Sequence, residues 1–446
     1  MRLAWFRPER ATTVDGTAHL VPVIAALRSQ VTIDLVPERE AHAFVTAHHV
    51  APWDLCIFEL DDAAAYDYVW AYLVHYPGLL VLHTPSVHRS RAAALDRQNR
   101  RADYAAERAF EALGVGSGPR AAGTVLADAV RTGAPQTGTG DANGLKADRP
   151  SQQPVRGLHP RLPLPQGRWP MLRVPITASL ATVVTDPVWA TELADTYPGA
   201  TVDAVPIGVP GLPSPLGPPE SAQVPAGHPP ALPRPVLVSL PGAPPPSRHE
   251  RDRSARVRDA VVAGARAAGR EAIVVEAQAD LPRTPDIVVA LGWPDPVRLR
   301  PAMLSALAAA CPLVVLEAGG VADWPTLDPH TWRLRAWTPG EPLAISLDPR
   351  DELQSLTHAV ERLTRDGALG RQLGRAGHAW WRRHGTVACA ADAWLAVLRR
   401  AAGARRVRTV DRPERPAGWP AHLSADGTAT ARRLLGGFSR TVDVLE

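Results

Sequence analysis

Short, uniformly apolar runs alternate with stretches whose apolar residues recur three and four apart, and few architectures satisfy that alternation. A run apolar at every position suits a strand covered on both faces, and the intervening spacing suits an amphipathic helix. Strand and helix in series specify parallel strands joined by crossover helices, an α/β fold with doubly wound sheets. In the first half the pattern predicts strands over Leu3–Phe6, Val31–Val36, Leu55–Phe58, Leu79–Leu82, Ala181–Thr185 and Thr201–Val205. Helices are expected on the Leu20, Val23, Ile24, Leu27 stripe, over Tyr66–Tyr76 and near Val188–Ala194. The second half repeats the alternation. Strands are expected at Val236–Leu240, Ala272–Val275, Ile287–Leu291 and Leu313–Leu316, with helices over Arg253–Ala268, Met303–Ala310, Asp351–Thr364 and Thr386–Arg400. Asp351 stands where an N-cap would.

At 446 residues the chain is long enough for two domains. Expected boundaries are a first Rossmann-like domain over 1–210, a Pro-rich linker over 211–235, a second Rossmann-like domain over 236–400, and a tail over 401–446 with a helix near Ser424–Leu435. Residues from about 114 to 167 are rich in Gly, Pro, Thr, Gln and Asp, and read as a low-complexity insertion in the first domain. Lys146 is the only lysine, so arginine carries the positive charge, a bias that reads as the base composition of a high-GC bacterium. A net charge of +4 supplies no basic face for nucleic acid. The three cysteines, Cys56, Cys311 and Cys389, follow no metal-ligand or disulfide spacing, and a reducing cytoplasm is expected. Arg7 and Pro8 interrupt the first apolar stretch, so no secretory leader is expected, and no apolar run is long enough to cross a bilayer.

Four segments together resemble the retaining, family-4-like glycosyltransferases of the GT-B fold. The first is the turn Asp15-Gly16-Thr17-Ala18-His19 after the first strand. The second runs from Trp53 to His88, through Phe58-Glu59-Leu60-Asp61-Asp62, Tyr76-Pro77-Gly78 and Val81-Leu82-His83-Thr84. The third is Val183-Val184-Thr185-Asp186 with Val205-Pro206-Ile207-Gly208-Val209. The fourth is Asp286 to Asp323, with Trp293-Pro294, Ala306-Leu307-Ala308-Ala309, Cys311-Pro312 and Gly319-Gly320, extended by Thr326 to Trp332. The likeness implies two doubly wound domains facing across a cleft, with the acceptor on the first and a nucleotide-sugar donor on the second. It implies no bound metal and no cofactor beyond the donor.

The resemblance departs from the family at its signature. The family's two glutamates, with seven residues between them, fall on Val297 and Ser305, and its phosphate-clamping lysine and arginine leave at best Arg248. Residues then expected at the site are His83, matching the family's sugar-contacting histidine, and Gly16, Gly242, Arg248, Glu317, Gly319 and Gly320 at the donor. Glycines there allow close backbone approach to phosphate, and an arginine fork suits a diphosphate leaving group. Arg251 and Arg253 could add charge beside Arg248, while Arg298, Arg300 or Glu317 could stand in for the missing glutamates. Asp61, Asp62 and Asp323 read as strand-end caps, and the Trp380-Trp381-Arg382-Arg383 run as a solvated helix end or a peripheral membrane contact.

Two functions follow. One is a glycosyltransferase moving a sugar from a nucleotide sugar to an unknown acceptor. The other is a catalytically degenerate relative acting as a binding partner or scaffold. A nicotinamide oxidoreductase is set aside because the first loop carries a single glycine of the Gly-x-Gly-x-x-Gly pattern.

Overall fold

A computed structural model of the chain describes residues 1–9, 18–115, 170–211, 235–241, 248–276, 284–292, 299–317, 321, 324–335, 340–408 and 415–424. The first unit holds β1 (Arg2–Phe6), α1 (Leu20–Leu27), β2 (Thr32–Val36), α2 (Glu38–Val50), β3 (Leu55–Leu60), α3 (Val69–Leu73), β4 (Leu79–Leu82), α4 (His88–Arg97), α5 (Arg101–Val115), α6 (Arg173–Ala178), β5 (Ala181–Val184), α7 (Pro187–Thr196) and β6 (Val202–Ala204). The second holds β7 (Val236–Ser239), α8 (Arg248–Ala267), β8 (Ala272–Val275), β9 (Ile287–Ala290), α9 (Arg300–Ala308), β10 (Leu313–Leu316), β11 (Thr326–Leu327), β12 (Ala344–Leu347), α10 (Glu352–Arg365) and α11 (Gly367–His384). A last long helix, α12, spans Val387–Arg408.

The strands form two six-stranded sheets, ordered β2-β1-β3-β4-β5-β6 and β11-β12-β10-β9-β7-β8. The pairings are parallel throughout. This is the two-sheet α/β architecture expected of the GT-B type. In each sheet the order reverses after the first strand, between β1 and β3 and again between β7 and β9. Those switch points open crevices at the carboxyl edge where ligands of doubly wound sheets bind.

Period-two alternation decides which core each strand residue joins. Leu3 and Trp5 on β1, with Leu55 and Ile57 on β3, face α1 and α12; Ala4 and Phe6, with Cys56 and Phe58, face the opposite layer under α2 and α3. The α1 stripe is buried at Leu20, Val23, Ile24 and Leu27, as its spacing predicts. Trp394 of α12 packs on Trp5 with ring centroids 5.4 Å apart. The final helix therefore completes the first unit's core, and the expected boundary at residue 400 falls inside it. Residues 415–424 return to the same unit, where Trp419 meets Phe110 edge-on and His422 lies 2.9 Å from Glu107.

The chain crosses between units twice, and the two crossings touch. Val209 N–H donates to the Gly385 carbonyl at 3.0 Å. A Cβ on Gly208 would stand 2.7 Å from that of Ala390, so this crossing requires glycine.

Several local expectations are corrected. Tyr66–Tyr76 divides into a short turn, Ala64–Tyr66, and α3. Helices α2, α4, α5, α6 and α11 and strands β11 and β12 were not predicted. Asp351 sits at the N-cap of α10 but makes no capping bond; its carboxylate instead accepts from Ser355 Oγ at 3.2 Å and meets His330 Nε2 at 2.9 Å. Within the Trp380–Arg383 run, Arg382 and Arg383 are exposed at the end of α11, as a solvated helix end requires, but the two tryptophans turn inward. Trp381 is buried and Trp380 packs on Trp324 at 5.3 Å, because α11 turns this face into the second core. The insertion, most of the linker and the expected tail helix lie outside the described residues. Among the described residues no helix is long and apolar enough to cross a membrane.

Candidate functional site at the carboxyl edges

Glu59 is the one acid of β3, a strand buried at every position, and it lies completely inside the protein. An ionised carboxylate there demands partners. Three neighbouring side chains supply them around the β1/β3 switch point. Trp5 Nε1 on β1 donates to Oε1 at 2.5 Å, His83 Nε2 after β4 lies 3.2 Å from Oε2, and Arg7 Nε after β1 stands 3.7 Å from Oε1. Burial pushes the Glu59 carboxyl up, but Arg7, His83 and Trp5 outweigh it and hold it below the usual carboxylate range. A carboxylate only accepts, so the contact with Glu59 places a His83 proton on Nε2. The His19 ring, at the start of α1, meets His83 edge-on at 6.1 Å.

His83 directly follows β4, at the strand end the apolar pattern predicts, and Glu59 anchors it. The signal for Glu59 in the sequence is a charge inside an otherwise apolar strand. Asp62 behaves as the expected cap: it accepts from Ser90 N, in the first turn of α4, at 2.7 Å, and from Arg89 at 2.9 Å. Beside Arg7, a cavity of about 450 Å3 is lined also by Arg28, Arg39, Val21, Ile24 and Leu35.

On the second sheet Glu317 directly follows β10. Arg335 bridges it to Asp328, at 2.8 and 3.2 Å. Burial raises the Glu317 carboxyl above its ordinary value, and Asp348 and Asp328 add to that against the pull of Arg335. Arg253, one of the charges expected for phosphate, is engaged instead by Glu352 and by the Leu291 carbonyl at 3.2 Å. Arg248 opens α8 rather than a loop, and its side chain lies outside what is described. Gly16, Gly242, Gly319 and Gly320, with Arg298 and Asp323, also fall outside the described residues. His83 and Glu317 belong to different sheets, and no hydrogen bond or ion pair joins them among the described residues.

Among the described residues, a buried ion pair joins the two carboxyl edges. Asp186 follows β5 and caps α7, accepting from Val188 N at 2.8 Å and Trp189 N at 3.0 Å. Its other oxygen accepts from Arg300 Nη1 at 3.0 Å, and the two side chains are only 3% and 8% exposed. Arg300 opens α9, the helix after β9, and its guanidinium lies 5.7 Å from the Trp324 ring centroid. Arg300 therefore pairs across the two units. Among the described residues no cluster of three or more His, Cys, Asp or Glu could hold a metal ion.

No protein-family profile matches the chain, and no curated protein matches it. Solved structures do. The chain is similar to Alr3699/HepE from Anabaena, solved in complex with UDP-glucose, at 10% identity and a TM-score of 0.44, covering 90% of this chain and 100% of that one. It is similar to a glycosyltransferase from Rickettsia africae ESF-5 at 8% identity and a TM-score of 0.41, covering 90% and 98%. It is similar to CalG4, the calicheamicin glycosyltransferase, at 16% identity and a TM-score of 0.32, covering 90% and 99%. The α/β two-sheet reading rests on the strand order and register of the chain itself.

Proposed function

We propose that the chain is a retaining glycosyltransferase that moves a sugar from a nucleotide-sugar donor to an acceptor of unknown identity. The observation that carries this reading is the buried Arg7–Glu59–His83 cluster at a topological switch point, on a carboxyl edge tied by Asp186–Arg300 to the edge of a second such sheet. A donor held against the second sheet would place its sugar toward His83. The imidazole, fixed by Glu59, would then present Nδ1 to a sugar hydroxyl. Donor-side contacts are proposed for Gly16, Gly242, Arg248, Glu317, Gly319 and Gly320. Closure of the units would exclude water and strengthen these electrostatic contacts. The nucleotide sugar serves as co-substrate, with no resident cofactor or metal.

The test is thermal unfolding and donor hydrolysis with UDP-, GDP- and dTDP-sugars, with and without EDTA. A cognate donor at about 100 times its dissociation constant stabilises the fold by about 2.7 kcal/mol. His83→Ala abolishes turnover, and EDTA leaves it unchanged. Absence of any shift at millimolar donor overturns the reading. A shift without hydrolysis or transfer supports a degenerate binder instead.

A further inference from the structure

The outer edge of the second sheet carries a cavity that shares no lining residue with the clusters just described. Its volume is about 710 Å3, within the range of small-ligand sites, and it lies between the turn after β11, the side of α10 and the start of α11. Its wall includes His330, Trp332, His358, Glu361, Arg362 and Asp366. From these groups we infer a second ligand site, one that takes a neutral saccharide.

The wall has an aromatic surface held in an unusual backbone. Trp332 sits at φ 56°, a conformation a bulky residue occupies only where its surroundings impose it. Here Asp328 imposes it. The Asp328 carbonyl accepts from Trp332 N at 2.8 Å, its N–H donates to the Arg333 carbonyl at 3.0 Å, and its carboxylate accepts from the His330 and Thr331 N–H groups, each at 2.9 Å. The turn is thereby organised with the indole in the cavity wall. The Arg362 guanidinium lies 5.7 Å from its ring centroid, so donor groups and an aromatic plane border the same space.

The charges select the ligand class. Arg362 pairs with Asp366 at 3.1 Å and Arg365 with Glu361 at 2.5 Å. Two cations and two anions balance in formal charge, so no excess of side-chain charge singles out a phosphate or a carboxylate. What remains is a ring of fixed donors and acceptors around an aromatic surface, which complements the hydroxyl edge and the C–H face of a pyranose. His330 is fixed in turn: its Nε2 lies 2.9 Å from Asp351 Oδ2 and 2.8 Å from Ser355 Oγ. That trio is not a hydrolytic triad. Both partners sit on the same ring nitrogen, and Ser355 is completely buried, out of reach of a substrate.

The inference does not rest on the proposed transferase activity, and its test keeps the two apart. The full-length chain is titrated with maltotriose, cellotriose and chitotriose by calorimetry and by ligand-observed saturation-transfer NMR, beside Trp332→Gly and His358→Ala. Trp332→Gly removes the indole and relieves the backbone but also strips packing from the second core, so a single cooperative thermal transition certifies its fold. At least one trisaccharide is expected to bind the parent with a millimolar dissociation constant, weakened roughly tenfold in Trp332→Gly. Donor-induced thermal shifts are expected to be the same in parent and variant. If donors bind neither while the trisaccharide discriminates between them, the transferase reading fails and this one stands. Absence of trisaccharide binding at about 10 mM, equal binding by the folded Trp332→Gly protein, or displacement by inorganic phosphate or UMP would overturn it.

Discussion

Two buried glutamates of the first unit have opposite dependences on pH. Glu59 is held below its ordinary value of 4.5, so the stability it contributes is present above that pH and is lost as pH falls through its lower folded value. Glu111 accepts from Arg173 N and Tyr197 Oη, both at 2.7 Å, yet burial holds its carboxyl above 4.5. Its contribution is present below 4.5 and is lost as pH rises through the raised folded value. Urea titrations across pH should therefore show Glu59→Gln less stable than the parent at neutral pH, and Glu111→Gln equal to or more stable than it. Glu59→Ala leaves Arg7 buried without this counter-charge and should cost about 3–5 kcal/mol. Equal loss of stability for both Gln variants at pH 7 would contradict this assignment. His83 was legible from its place at the end of an apolar strand. Glu59 was not, because a lone glutamate in a motif says nothing about the three donors that chain contacts tens of residues away bring to it.

Helices α8 and α10 pack so closely that one methyl group decides their separation. A Cβ at Gly264 would stand 2.6 Å from the Thr357 carbonyl oxygen, a backbone atom that cannot swing aside. Gly264→Ala should destabilise by about 1–3 kcal/mol in chemical denaturation, despite the higher helix propensity of alanine. A gain in stability would mean the helices separate without strain. At this scale short apolar strands were the most readable elements, since a strand buried on both faces has no polar positions. Helices such as α4, rich in charge and alanine, carry too weak an apolar stripe to declare themselves, and appear only where Arg91 of α4 meets Glu107 of α5.

For the whole molecule, the Asp186–Arg300 pair ties the two carboxyl edges together, buried and charge-assisted. Asp186→Asn keeps the cap on α7 and removes the charge; Asp186→Ala removes both. Asn should cost most of the roughly 3–5 kcal/mol of a broken buried pair, and Ala about 1 kcal/mol more for the lost cap. A double-mutant cycle with Arg300→Met isolates the coupling. Coupling near zero would show that the units are held by the Gly208 and Gly385 crossings and not by this pair.

The amino-acid order by itself determined that the chain makes parallel sheets covered on both faces, in two series, because apolar runs of strand length leave helices as the only available crossovers. It placed His83 at a strand end for the same reason. Tertiary structure alone decided that α12 belongs to the first core, that Asp351 serves His330 instead of capping, and that Arg300 and Arg253 are already engaged. Those outcomes depend on which charges and rings approach through space, and burial then makes each unpaired alternative too costly to survive.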